Sequence, residues 1–180
     1  MLRRVFCSYL ALMLIYVVAS AQAHKWRAPT YQGLTLGKSK RADVERAFGR
    51  PVWSGHPEDG LDNPMENFLS YEYDDVGGFE GRTVVIMGRR SGVVEVIYLY
   101  PPYQHPLSRS VAVERYGGDY IERESAAGPC HTGKELRRLK RPAEREYPVF
   151  IAYPHKGMYF SVQRDESVLE IGFMLRCPWP

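Results

Sequence analysis

The sequence predicts an α+β protein of tandem helix-plus-antiparallel-sheet units, with the helices packed on one face of the sheet. Three observations carry that reading. Thr83–Met87 and Val93–Leu99 are β-rich runs around Arg89-Arg90-Ser91-Gly92, a short polar connection ending in the residue most tolerant of positive φ, so Arg82–Tyr100 reads as a hairpin. The pattern returns at Met158–Leu175, displaced so that Gly92 falls on Ser167, which suggests an internal duplication. A short stretch with helical spacing precedes each hairpin, within Gly33–Pro51 and within His105–Gly118.

Met1–Ala23 places Arg3 and Arg4 before an apolar run, Val5–Val18, and ends in the small residues Ser20-Ala21-Gln22-Ala23, so it reads as a secretory signal cleaved after Ala23. The run is shorter than the ~20 residues that span a bilayer. Cys7 precedes most of the run, which argues against a lipid anchor. A chain starting at His24 loses two arginines and no acids, so its formal charge falls from +3 to +1 and implies no nucleic-acid partner. The expected division is 1–23 signal peptide, 24–104 first α+β unit and 105–180 second, divergent unit. Cys130 and Cys177 are expected to form a disulfide, because two thiols in an exported chain most simply pair.

His24–Tyr31 is polar and mixed, and is expected to be loose. In the next stretch Ser39 suits an N-cap, Val44, Ala47 and Phe48 recur at helical spacing, Gly49 suits the C-terminal position and Pro51 stops the helix. Val52–Glu66 reads as a surface loop whose acids lack the spacing of a calcium loop. Phe68–Tyr73 reads as a strand. With Gly88 opposite Val93, Thr83, Val85 and Met87 share the core face with Val94, Val96 and Tyr98, while Val84 and Ile86 share the other with Glu95 and Ile97.

In the second half Ser108 caps a helix with Val111, Val113 and Tyr116 as its apolar positions. Gly128–Arg145 is a basic insertion, read as solvated. Tyr147–Tyr153 is a strand, and Pro154–Gly157 is a tight turn. In the second hairpin Met158, Phe160 and Val162 meet Leu169, Ile171 and Phe173 on the apolar face, and Tyr159 and Ser161 meet Gly172 and Glu170 on the polar one.

The sequence holds no phosphate-cradling glycine loop, no HExxH, no paired CxxC and no G-x-S-x-G, and its histidines lack ligand spacing. No catalytic residue, metal site or cofactor is therefore expected. Gly33-Leu-Thr-Leu-Gly-Lys-Ser39, a helix ending Phe48-Gly49-Arg50-Pro51, a tyrosine-rich strand and a hairpin with Gly92 before Val93-Val94-Glu95-Val96 resemble the BamE-like (SmpA/OmlA) outer-membrane assembly lipoproteins. Two copies in tandem resemble the related β-lactamase inhibitor protein. That resemblance implies work done by binding other proteins, without catalysis.

The expectation is thus an exported protein, periplasmic or extracellular, that binds a protein partner in envelope assembly or enzyme inhibition. Membrane association is compatible with the sequence, although not through a lipid anchor. The expected docking surface is the helix-free face of the sheet, with Glu95, Tyr159, Ser161 and Glu170 and extended by Tyr71 and Tyr73. Two other readings are a hydrolase or small-ligand binder using Glu95 and Glu170 as paired carboxylates, and a structural envelope component.

Overall fold

The structure, a computed structural model, describes residues 28–57, 65–124 and 148–175. The signal segment, the start at His24, both halves of the Cys130–Cys177 pair and the basic insertion lie outside the described residues. In chain order the elements are β1 (Thr30–Tyr31), β2 (Leu34–Thr35), α1 (Arg41–Phe48), β3 (Trp53–Gly55), β4 (Phe68–Asp74), β5 (Arg82–Gly88) and β6 (Val94–Tyr100). They continue with α2 (Arg109–Tyr116), β7 (Ile121–Glu124), β8 (Val149–Tyr153), β9 (Met158–Val162) and β10 (Val168–Met174).

Strands β3 to β10 form one eight-stranded sheet in the order β3-β4-β5-β6-β10-β9-β8-β7, and β1 and β2 form a separate two-stranded ribbon. Every pairing is antiparallel. The architecture is predominantly β, and the expected tandem helix-plus-sheet units are not what forms. The reason lies in the last strand of each hairpin. β6 and β10 pair with each other, Leu99 opposite Ile171 and Ile97 opposite Phe173, so what would be two sheet edges become one seam. The short chain ahead of each helix extends the seam. Val94 donates its N–H to the Ser39 carbonyl (2.8 Å) and Val168 donates to the Leu107 carbonyl (2.7 Å).

One face of the sheet carries the core. Val44 and Phe48 of α1 and Ala112 of α2 are buried there with Tyr71, Tyr73, Val85, Ile97, Leu99, Ile151, Tyr153, Phe160, Ile171 and Phe173. The two helix ends meet the sheet alike. Phe48 lies edge-on to Tyr73 with ring centres 5.4 Å apart, and Tyr116 lies against Phe160 at 5.2 Å. Each helix has eight residues and a glycine at its end with positive φ, Gly49 and Gly117. Other expectations for the helices need correction. Lys40 is the N-cap of α1, its N–H donating to the Asp43 carboxylate, while Ser39 Oγ accepts from the Thr35 N–H. Ala47 is exposed, and on α2 it is Ala112 that is buried while Val111 is 44% exposed. The residues ahead of the first helix are not loose from 28 onward, because Pro29 is buried and the Tyr31 ring lies 5.2 Å from that of Phe173.

Both hairpins contain a β-bulge. The first begins as the sequence predicts, with Met87 opposite Val94, but Ile86 then faces Val96, leaving Glu95 as the extra residue. One added residue exchanges the faces of everything that follows. Ile97 and Leu99 enter the core, and Val96 and Tyr98, expected there, turn to the helix-free face. In the second hairpin Val162 faces Val168 and Ser161 faces Glu170, so the extra residue is Leu169. Leu169, expected in the core, is 41% exposed, and Val168 takes its place. The bulges occupy equivalent positions. Glu95 therefore corresponds to Leu169, and Glu170 corresponds to Val96.

These assignments predict an ordered set of stabilities by urea unfolding. Phe160 is fully buried, so Phe160→Ala lowers stability by about 3–5 kcal/mol. Leu169→Ala, at the bulge, changes it by under about 0.5 kcal/mol. Thr83→Val raises it by about 1 kcal/mol, because the buried Thr83 hydroxyl has no hydrogen-bond partner. Comparable losses at Phe160 and Leu169 would contradict the bulged register.

Candidate functional site on the helix-free face

Because side chains alternate across a strand, the cross-strand pairs define rows on the helix-free face. The central row is Trp53, Glu72, Val84, Tyr98, Gly172, Tyr159, Ala152 and Ile121, one residue from each strand of the sheet. A neighbouring row brings Arg82 opposite Tyr100, and Glu170 opposite Ser161, which is opposite Phe150. Where the rows cross the seam, Tyr98 and Tyr100 of β6 stand beside Glu170 and Gly172 of β10 and Tyr159 of β9.

Gly172 makes this arrangement possible. A Cβ there would lie 2.2 Å from Tyr159 Cε1, so the Tyr159 ring covers space that any other residue would occupy. The Tyr159 hydroxyl donates to Glu170 Oε1, and its ring packs against Phe150 with centres 5.7 Å apart. Tyr98 and Tyr100 have ring centres 6.3 Å apart, and the Arg82 guanidinium lies 4.6 Å from the centre of the Tyr100 ring. Arg82 also approaches Glu72 at 3.5 Å. Tyr98, Tyr100, Glu72 and Glu170 are partly exposed, whereas Tyr159 and Ser161 are buried. The result is a carboxylate set among tyrosines, with a cation on one flank.

The expected site residues divide. Tyr159, Ser161 and Glu170 are neighbours on the helix-free face. Tyr71 and Tyr73 are buried in the core on the other side and form no part of that surface. Glu95 lies over Gly88 at the far end of the hairpin, where its carboxylate accepts from Ser91 Oγ (2.9 Å) and a Cβ on Gly88 would come within 2.1 Å of it. Tyr100 is the register partner of Glu170 by extension of the Leu99–Ile171 pairing, so Glu95 and Glu170 stand five strand residues apart, about 16 Å. Paired carboxylates in glycoside hydrolysis stand no more than about 9.5 Å apart. The two acids do not form such a pair. Sequence reasoning missed Tyr98, Tyr100, Arg82 and Glu72. The signal was Glu95 itself, a charge inside an apolar run, after which Ile97 and Leu99 alternate with Tyr98 and Tyr100.

Among the described residues no group of His, Cys, Asp and Glu could hold a metal ion, and no helix is long and apolar enough to cross a membrane. The electrostatics of the cluster are those of protonated phenols beside a carboxylate. Burial, and next the charge of Glu170, push Tyr98 up to about 12, and raise Tyr100 and Tyr159 for the same reasons. The folded state thus holds these phenols neutral. The stability they contribute is full below about pH 10, the unfolded value. It is lost as the pH rises toward the Tyr98 value of about 12. The urea midpoint should therefore fall between pH 10 and 12, and fall less in Tyr98→Phe. An identical decline in the variant would show that Tyr98 is not held neutral by the fold.

No family model matches the chain, and no curated protein matches it. Among solved structures, it is similar to a DUF4309 family protein, YjgB, from Bacillus subtilis, at 17% identity and a TM-score of 0.46, over 86% of this chain and 90% of that one. It is also similar to a cysteine-rich secretory protein from Staphylococcus aureus, at 13% identity and a TM-score of 0.42, over 83% of this chain and 47% of that one. Neither likeness is close enough to carry a function across.

Proposed function

We propose that this is an exported, non-catalytic binding protein that engages another protein through the helix-free face of its sheet, centred on Tyr98, Tyr100 and Glu170. The observation that supports this reading is the partly exposed tyrosine pair beside a carboxylate at the middle of a broad sheet. Tyrosine supplies a large contact area with few rotatable bonds and a polar tip, and such residues dominate the energy of protein interfaces.

The test is photo-crosslinking in the exported fraction of the source organism, with a benzophenone amino acid replacing Tyr98 or Tyr100, Ala47 on the opposite side, or Arg138 in the basic insertion. A discrete crosslinked species from positions 98 and 100, and none from 47, is expected. Crosslinking from 47 alone, or from Arg138 in the basic insertion alone, would contradict the assignment.

A further inference from the structure

The two outer strands of the sheet are treated differently by the sequence. β7 ends one side as Ile121-Glu122-Arg123-Glu124, a strand of mostly charged residues. Charge on an edge discourages further strand pairing. β3 ends the other side as Trp53-Ser54-Gly55, with no charge and no proline, and Val52 ahead of it also bonds to β4, donating its N–H to the Glu72 carbonyl (2.8 Å). Val52 is 65% exposed and Trp53 is 46% exposed. Among the described residues no further strand pairs with this edge.

Beside it, on the helix side, lies a cavity of about 700 Å³ between β3 and α1, lined by Arg41, Glu45, Arg50, Pro51, Val52 and Ser54 among others. Arg41 is paired with Glu45 at 2.7 Å. Arg50 is exposed and makes no ion pair among the described residues, so the cavity has a net positive charge. On the helix-free side the same edge presents the Trp53 indole, folded over Gly55, where a Cβ would lie 2.5 Å from Trp53 Cζ2.

We infer that β3 is a second docking site, separate from the tyrosine face, which takes an extended segment of a partner protein as a ninth strand. Strand addition supplies main-chain hydrogen bonds, and alternate side chains choose the sequence. Here the alternation is specified. Side chains on the helix side of the added strand meet Arg50, and those on the other side meet Trp53. The segment that fits therefore alternates acidic and apolar residues. A second copy of this chain fits poorly, because its own edge, Trp53-Ser54-Gly55, offers no acidic residue to Arg50.

The test is fluorescence anisotropy of a labelled peptide, Thr-Glu-Val-Glu-Val-Glu-Thr, with the protein. Its lysine counterpart, Thr-Lys-Val-Lys-Val-Lys-Thr, and an acidic peptide with two adjacent prolines at its centre, so that an N–H facing β3 is lost in either register, are the controls. The acidic peptide should bind at least about tenfold more tightly than the lysine peptide, the preference should invert in Arg50→Glu, and proline should abolish binding. Arg50 is a surface residue, so that variant keeps the fold. The inference is overturned by no binding at millimolar peptide, by equal binding of the acidic and lysine peptides, or by binding that survives the central prolines. It is also overturned by binding that Tyr100→Ala removes and Arg50→Glu does not, which would put the peptide on the sheet face. A sedimentation dimer that Val52→Glu abolishes would give the edge to a second copy instead.

Discussion

The pairing of β6 with β10 is the constraint on which the rest of the molecule depends. Each hairpin alone would leave its last strand as an open edge, with unpaired backbone groups and half of an apolar face without a neighbour. Joining the two edges removes both costs at once and makes a floor wide enough for two short helices. Neither helix could stand alone in water at eight residues. Phe48 and Tyr116 hold them by inserting into the aromatic layer of Tyr73, Tyr153 and Phe160. The ribbon ahead of α1 closes the arrangement from above, with Tyr31 between Phe48 and Phe173 and hence between the two halves of the sheet.

The same pairing creates the candidate site. Tyr98 and Tyr100 belong to one half of the chain and Tyr159, Glu170 and Gly172 to the other, so the cluster exists only because the seam does. The bulges then decide which side chains reach it. Without the extra residue at Glu95, Tyr98 would point into the core. With it, the tyrosines face outward while Ile97 and Leu99 fill the space below the helices. The geometry gives the two carboxylates separate roles. Glu170 is an acceptor fixed among phenols, and Glu95 is tied into its own turn through Ser91.

Much of the local structure was legible in the residues. The first hairpin turn, its starting register at Gly88 and Val93, and the glycine at the end of each helix follow from turn chemistry and helical spacing, whereas the second turn closes one residue earlier than the alignment of Gly92 with Ser167 predicts, with Val162 opposite Val168. The faces beyond the turns were not, because a single bulged residue reverses the parity of a strand and has no composition of its own. Trp53-Ser54-Gly55 is too short to alternate and becomes a strand only because β4 offers it an edge, and Ile121-Glu122-Arg123-Glu124 carries a charge pattern suited to a loop. The choice of β10 as the neighbour of β6 is a tertiary matter. The repeated strand pattern is satisfied by two separate sheets or by one, and burial of both strand edges decides for one.

The two halves form one cooperative sheet, and native-state hydrogen exchange reads that cooperativity residue by residue. Ile151, fully buried in β8, lies on the far side of the seam from β5. In Ile151→Ala the protected amides of β5 and β9 should lose the same opening free energy, of about 2–5 kcal/mol, as they would in a single unfolding unit. Loss of protection in β9 with β5 unchanged would mean that the halves unfold as separate units, contrary to this account.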